Sequence, residues 1–117
     1  MPRFVILEHD HPDLHWDLML EMGDALRTWR LPAPPPDDPR DATALGDHRV
    51  AYLDYEGPVS GNRGNVKRWD AGTYETVDAA TVTEWTIALR GMRWQGTAML
   101  SHEHGQEWTV HFMRDGP

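Results

Sequence analysis

The 117-residue chain has no cysteine, which excludes disulfides and thiolate metal sites. It has one lysine, Lys67, and only two phenylalanines. Basic residues are scarce, 11 against 19 acidic ones, for a formal charge of −8 at pH 7. A protein that grips duplex nucleic acid along its length usually carries a basic stripe, so this balance argues against tight non-specific binding and leaves open a local site for a strand end. No apolar run approaches the roughly 18 residues needed to cross a membrane, and the opening residues lack the core of a signal segment, so a cytoplasmic protein without a membrane partner is expected. A sustained 3.6-residue period is also missing, and no segment repeats. Residues 78–82 alone suit a single helical turn.

Histidine and carboxylate, by contrast, are crowded near the start. Residues 9–21 hold three of the seven histidines and four carboxylates. From His15 onward the pattern alternates, with Trp16, Leu18, Leu20 and Met22 on one face of a strand and His15, Asp17, Met19 and Glu21 on the other. His15 and Asp17 then stand side by side, roughly 6–7 Å apart along the chain. His9 lies just before the turn that feeds this strand. Two imidazoles and a carboxylate without cysteine suit a divalent transition metal such as Mn, Fe or Zn. A solvated strand face that binds nothing has the same pattern. So does a facial triad of the non-haem iron type, built from His15, Asp17 and a distant His102 or His111, although that arrangement leaves His9 without a role.

The remainder reads as short strands in one domain, residues 1–117. Arg3-Phe4-Val5-Ile6-Leu7-Glu8 is a β-branched opening strand, and Asp10 to Asp13, with Pro12, makes a turn. Gly23-Asp24 turns the 15–22 strand into a hairpin partner over 25–31. Residues 32–39, Pro-Ala-Pro-Pro-Pro-Asp-Asp-Pro, cannot enter a central strand or a helix and form a stiff polyproline-type connector. Strands are expected over 50–55, 84–89, 93–100 and 107–113, with a hairpin of 66–70 and 73–77 turning at Ala71-Gly72 and a turn at His102-Glu103-His104-Gly105. Residues 57–65, with three glycines and two asparagines, form a loop long enough to close over a site. Arg63, Lys67 and Arg68 are the one locally basic stretch and the candidate contacts to a nucleic-acid backbone. The six tryptophans suit core and groove lining better than base stacking. The expected fold is all-β: a small closed or nearly closed barrel of short antiparallel strands with little helix.

One further pattern is carried by ordered motifs. His9-Asp10, then Leu14-His15-Trp16-Asp17-Leu18 and Leu20-Glu21, resembles the opening signature of the 3′-phosphoesterase domain of bacterial DNA ligase D. Asp47-His48 with Tyr52 resembles that family's D-H-x-x-x-Y. Tyr55-Glu56-Gly57, Gly61, Gly64, Val66, Trp69-Asp70 and Gly72-Thr73-Tyr74 follow its order, as do Leu89-Arg90-Gly91, Gly96, Leu100 and Trp108. The similarity spans nearly the whole chain, and it too implies a β-barrel.

The resemblance implies that His9, His15 and Asp17 are Mn²⁺ ligands, with Zn²⁺ or another divalent transition metal as substitutes. Three ligands leave coordination positions open for water or substrate. It implies that His48 hydrogen-bonds the phosphate or protonates a leaving oxygen. Tyr52 orients phosphate or ribose, and Arg40, eight residues before His48, clamps the phosphate. The implied reaction trims a terminal ribonucleotide and removes a 3′-phosphate from a primer–template, leaving a 3′-hydroxyl for end joining, with ligase and polymerase expected as separate proteins. Two departures stand out. Met19 occupies the position of a family arginine, and Ala33 with its proline run replaces a lysine. A non-catalytic relative that keeps the metal and binds a nucleic-acid end or a repair partner is therefore the alternative.

Overall fold

Alternation decides which side of each strand is buried, and in the computed structural model that rule closes the chain on itself. Residues 2–35, 40–81 and 83–115 are described, except for the side chains of residues 40 and 79–81. The strands are β1 (Arg3–His9), β2 (His15–Met22), β3 (Ala25–Leu31), β4 (Arg40–Arg49), β5 (Gly57–Pro58), β6 (Asn65–Thr81), β7 (Glu84–Gly91), β8 (Gln95–His104) and β9 (Glu107–Arg114). Every pairing is antiparallel, in the order β1-β2-β3-β4-β9-β8-β7-β6, and β1 pairs again with β6. The result is the expected closed barrel of eight strands, with β5 as a short addition beside β6.

Inward residues fill the barrel: Phe4 and Ile6, Leu18 and Leu20, Trp29 and Leu31, Ile87 and Leu89, Leu100, Val110 and Phe112. All six tryptophans join this core, Trp29, Trp94 and Trp108 buried within it and Trp16, Trp69 and Trp85 packed against it. A second apolar cluster lies on the outer face of β1–β3 and β6, formed by Val5, Leu7, Met19, Leu26, Leu53 and Val66. Val50, Tyr52 and Val59 cover it. Strand β1 is thus sandwiched between two apolar layers, which is why Phe4-Val5-Ile6-Leu7 is an unbroken apolar run instead of an alternating one.

Four segments depart from the expectation. The expected 50–55 strand is a turn of 3-10 helix at Val50–Leu53. Residues i and i+3 eclipse in that geometry, so Val50 and Leu53 reach the outer cluster together. Strand β4 occupies 40–49, where no strand was expected; its Asp, Ala and Gly content is poor in β-formers. Its place is set by tertiary pairing between β3 and β9. Ala71-Gly72 is no hairpin turn, because β6 runs unbroken through it and changes partner there, from β1 over 66–73 to β7 from Gly72 onward. The small residues permit this close approach, since a Cβ on Gly72 would run into the Arg90 backbone. The chain also stays extended through Thr81, so residues 78–81 form no helical turn, and Val82 lies outside the described residues. The proline-rich connector is described only over residues 32–35, and 36–39 lie outside.

Candidate metal centre

The turn between β1 and β2 sets His9 directly opposite His15 across the two strands, and Asp17 opposite Leu7. His15 and Asp17 share the outward face of β2, on the side of the second apolar cluster. Each imidazole is fixed by a carbonyl. His15 Nδ1 lies 2.8 Å from the Asp13 carbonyl and His9 Nε2 lies 2.8 Å from the Arg63 carbonyl. A carbonyl only accepts, so these nitrogens carry the protons, and His15 Nε2 and His9 Nδ1 carry the lone pairs. Both lone-pair atoms face Asp17 Oδ2, at 3.3 Å from His15 and 4.0 Å from His9. One ligand atom from each of the three residues falls within 4.8 Å of the others.

That donor set fits a divalent ion. His15 Nε2 and Asp17 Oδ1 are buried and have no hydrogen-bond partner among the described residues. Orphaned buried acceptors of this kind are costly unless something satisfies them. Carbonyls on the far nitrogens are also the usual orienting partners of ligating histidines.

His9 and Asp17 of this trio form one wall of a cavity of about 380 Å³. His11, Arg30, His48, Tyr52 and Arg63 complete its polar lining, and Pro12, Met19, Val59 and Val66 its apolar lining. His48 Nδ1 donates to the Gly46 carbonyl at 2.9 Å, leaving Nε2 available. Its ring meets Tyr52 edge-on, with centroids 5.9 Å apart. The loop after the 3-10 turn is stitched to the β1–β2 turn: Asp10 Oδ1 accepts the Asn65 N–H at 2.8 Å. The turn itself is tied to β1 by a forked pair from Arg3 to Asp54, at 2.6 and 3.3 Å. The hydrogen bond from Arg3 holds the Asp54 carboxyl below its ordinary value of 3.8.

The family profile described as the DNA Ligase D 3′-phosphoesterase domain matches residues 7–102, a span that takes in the metal-type trio, His48 and Tyr52. The chain belongs to this family. It is 31% identical over 121 aligned positions to the multifunctional non-homologous end joining DNA repair protein LigD of Mycobacterium tuberculosis, covering 96% of this chain and 16% of that protein. The corresponding protein of Mycolicibacterium smegmatis is 30% identical over 129 positions, covering 97% and 17%. That of Pseudomonas aeruginosa is 34% identical over 82 positions, covering 65% and 10%. The chain thus spans about one sixth of the length of the mycobacterial relatives it matches.

Among the candidate site residues singled out in the sequence, His9, Asp17, His48, Tyr52 and Arg63 line one cavity, and His15 joins them through the metal-type trio. The Arg63 guanidinium is engaged with Ser60 at 2.7 and 3.1 Å. Lys67 and Arg68 do not line the cavity; Lys67 is exposed, and Arg68 lies 4.0 Å from Glu56. Arg40 pairs through its backbone with Val110, and its side chain lies outside the described residues. The three-residue metal group includes neither His102 nor His111, which leaves the facial-triad arrangement without its third ligand among the described residues. His102 instead meets the Gly105 carbonyl and the Trp108 ring.

Two participants escaped the sequence reading. Asp10 sits in the motif and serves as the loop anchor. Arg30 lies across from Asp17 in the β2–β3 register, with Nε 3.8 Å from Asp17 Oδ1. A two-residue turn at Gly23-Asp24 dictates that register, so the hairpin alone carried the signal for Arg30.

Proposed function

We propose that this chain is a Mn²⁺-dependent phosphoesterase that removes a terminal ribonucleotide or a 3′-phosphate from nucleic-acid ends. It would serve the end processing that precedes ligation in non-homologous end joining, alongside separate ligase and polymerase proteins. The observation that supports this reading best is the convergence of three lone-pair donors, from His9, His15 and Asp17, on a cavity that His48 and Tyr52 also enter.

His9, His15 and Asp17 would hold a divalent ion, which would supply a Lewis acid for a phosphoryl oxygen and offset charge that grows in an in-line displacement. The chain's own residues do the rest. The Asp13 and Arg63 carbonyls keep both imidazoles in the tautomer that ligates. His48, its Nδ1 proton held by Gly46, presents Nε2 to a phosphate or leaving oxygen as hydrogen-bond donor when protonated and acceptor when neutral. The Tyr52 hydroxyl orients phosphate or ribose from the roof of the cavity, and the family pattern gives Arg40 a phosphate contact. The apolar lining from Met19, Val59 and Val66 limits water there and strengthens these polar contacts.

Met19 also favours a second reading. It is buried in the outer apolar cluster and brings no charge to the wall it occupies, as suits a relative that keeps the metal and only binds an end. Phosphate release from a primer–template with a 3′-terminal ribonucleotide 3′-phosphate separates the two. The proposed enzyme releases phosphate only with Mn²⁺ present and loses activity in His15→Ala. No release, with Mn²⁺ bound by the wild type and not by His15→Ala, would replace it with the binding module.

A further inference from the structure

Arg30 is a cavity residue with few partners in the fold. It stands on the outward face of β3, between Trp29 and Leu31, which both point into the barrel core. Its Nε is buried without a hydrogen-bond partner among the described residues, and its nearest acid, Asp17 Oδ1, is 3.8 Å away, an ion pair without a hydrogen bond. Even so, 39% of its side chain remains accessible. It lines the cavity shared with His48 and Tyr52, and also a shallower one bounded by His15, Asp41 and Thr43. A guanidinium half-buried beside a carboxylate, with donors left over and an opening in front of it, is arranged to meet an anion. The other cavity guanidinium, Arg63, is held by Ser60, and Met19 offers no donor.

We propose that Arg30 is a substrate-binding residue: it grips non-bridging phosphoryl oxygens of the nucleic-acid 3′ end while its Nε side offsets the charge of Asp17. This rests on the reading of the cavity as a 3′-end phosphoesterase site. A phosphoryl group in this cavity faces Arg30 from β3, the imidazoles from β1 and β2, and His48 and Tyr52 from the roof. The strand end is then recognised by its terminal anion.

The test compares wild type, Arg30→Ala and Arg30→Lys. Fluorescence anisotropy in a metal chelator, which prevents turnover, measures binding of one primer–template ending in either a 3′-phosphate or a 3′-hydroxyl. Mn²⁺ affinity is titrated separately by calorimetry. The wild type should prefer the phosphate end. Arg30→Ala should lose that preference by roughly 10–100-fold, the range for hydrogen bonds to a charged group. Arg30→Lys should keep part of it, and Mn²⁺ affinity should not fall in either variant. If Arg30 only neutralises Asp17, Arg30→Ala will alter Mn²⁺ affinity and keep the phosphate preference, and the inference is overturned while Mn²⁺-dependent release by the wild type still stands. A wild type that neither prefers the phosphate end nor releases phosphate overturns both.

Discussion

Asp10 and Asp17 are both carboxylates beside a histidine in the same motif, and their fates differ for a simple reason. Asp17 shares the parity of His15 on β2 and so meets its imidazole, whereas Asp10 lies past the end of β1 and accepts the Asn65 N–H. The backbone completes that anchor at Gly64, which has φ +75° and comes so close that a Cβ would collide with Asp10 and with the His11 side chain. Gly64→Ala therefore strains the left-handed backbone, at a cost of about 1–2 kcal/mol, and displaces the neighbouring Arg63 carbonyl that holds His9. Calorimetry should show Mn²⁺ affinity lower by roughly 10–100-fold, the usual effect of losing a ligand's outer partner, together with a lower melting temperature. Unchanged affinity in a folded variant would mean that the loop does not position His9. Part of the residue-scale chemistry was legible: parity on β2 singled out His15 and Asp17, whereas the place of Arg30 across from Asp17 depends on the β2–β3 register and was not read. Other motif residues hide structural roles that spacing cannot reveal. Asp70, of the Trp69-Asp70 pair, is buried and accepts the N–H groups of Ala71, Arg93 and Trp94, at 2.8–2.9 Å, holding the β7–β8 turn.

Among the elements, the 3-10 turn shows where sequence reasoning loses its grip. Val50–Leu53 has strand-forming residues such as Val50 and Tyr52, yet its conformation follows from the apolar cluster it must cover and from the Arg3–Asp54 pair at its end. The same holds for β4, whose residues are poor strand formers and whose pairing is imposed by closure of the barrel, and for β6, where length was hidden by small residues that resemble a turn. Strands with strong alternation, β2, β3, β7 and β9, were readable because one face had to enter the core. The tie from Arg3 to Asp54 has a pH signature. Arg3 lowers the folded value of Asp54 below 3.8, so the pair's contribution is present above that pH and disappears as the pH falls through the lower, folded value. Asp54→Asn should thus have a lower urea midpoint than wild type near neutrality, with the gap closing in acid. A gap that stays constant from about pH 7 to pH 3 would show that the pair contributes through packing and not charge. Salt should narrow the gap as well, because both side chains are substantially exposed.

At the scale of the whole molecule, the net charge of −8 and the position of the cavity suit the proposed end recognition by local contacts rather than a basic track. The site lies outside the barrel core, on the outer face of β1–β3 beneath the 3-10 turn, and the guanidinium assigned to phosphate there is Arg30, with Arg40 the family's candidate for a second. Lys67 and Arg68, which would extend a basic track, lie outside the cavity, and Arg68 is paired with Glu56. Each phosphate neutralised contributes about 0.9 to the slope of log affinity against log salt, so two contacts give a slope near −2, and raising salt from 50 to 200 mM should weaken binding to a 3′-phosphorylated primer–template by roughly tenfold. A track of six to ten contacts along a duplex would lose about 10³–10⁵ over the same range. Closed circular duplex, which has no ends, should compete poorly at any of these salt concentrations. A slope near −6, with effective competition by circular DNA, would place the binding surface along the barrel wall through Lys67 and its neighbours, and the cavity would then take its phosphate only after the body of the duplex had docked.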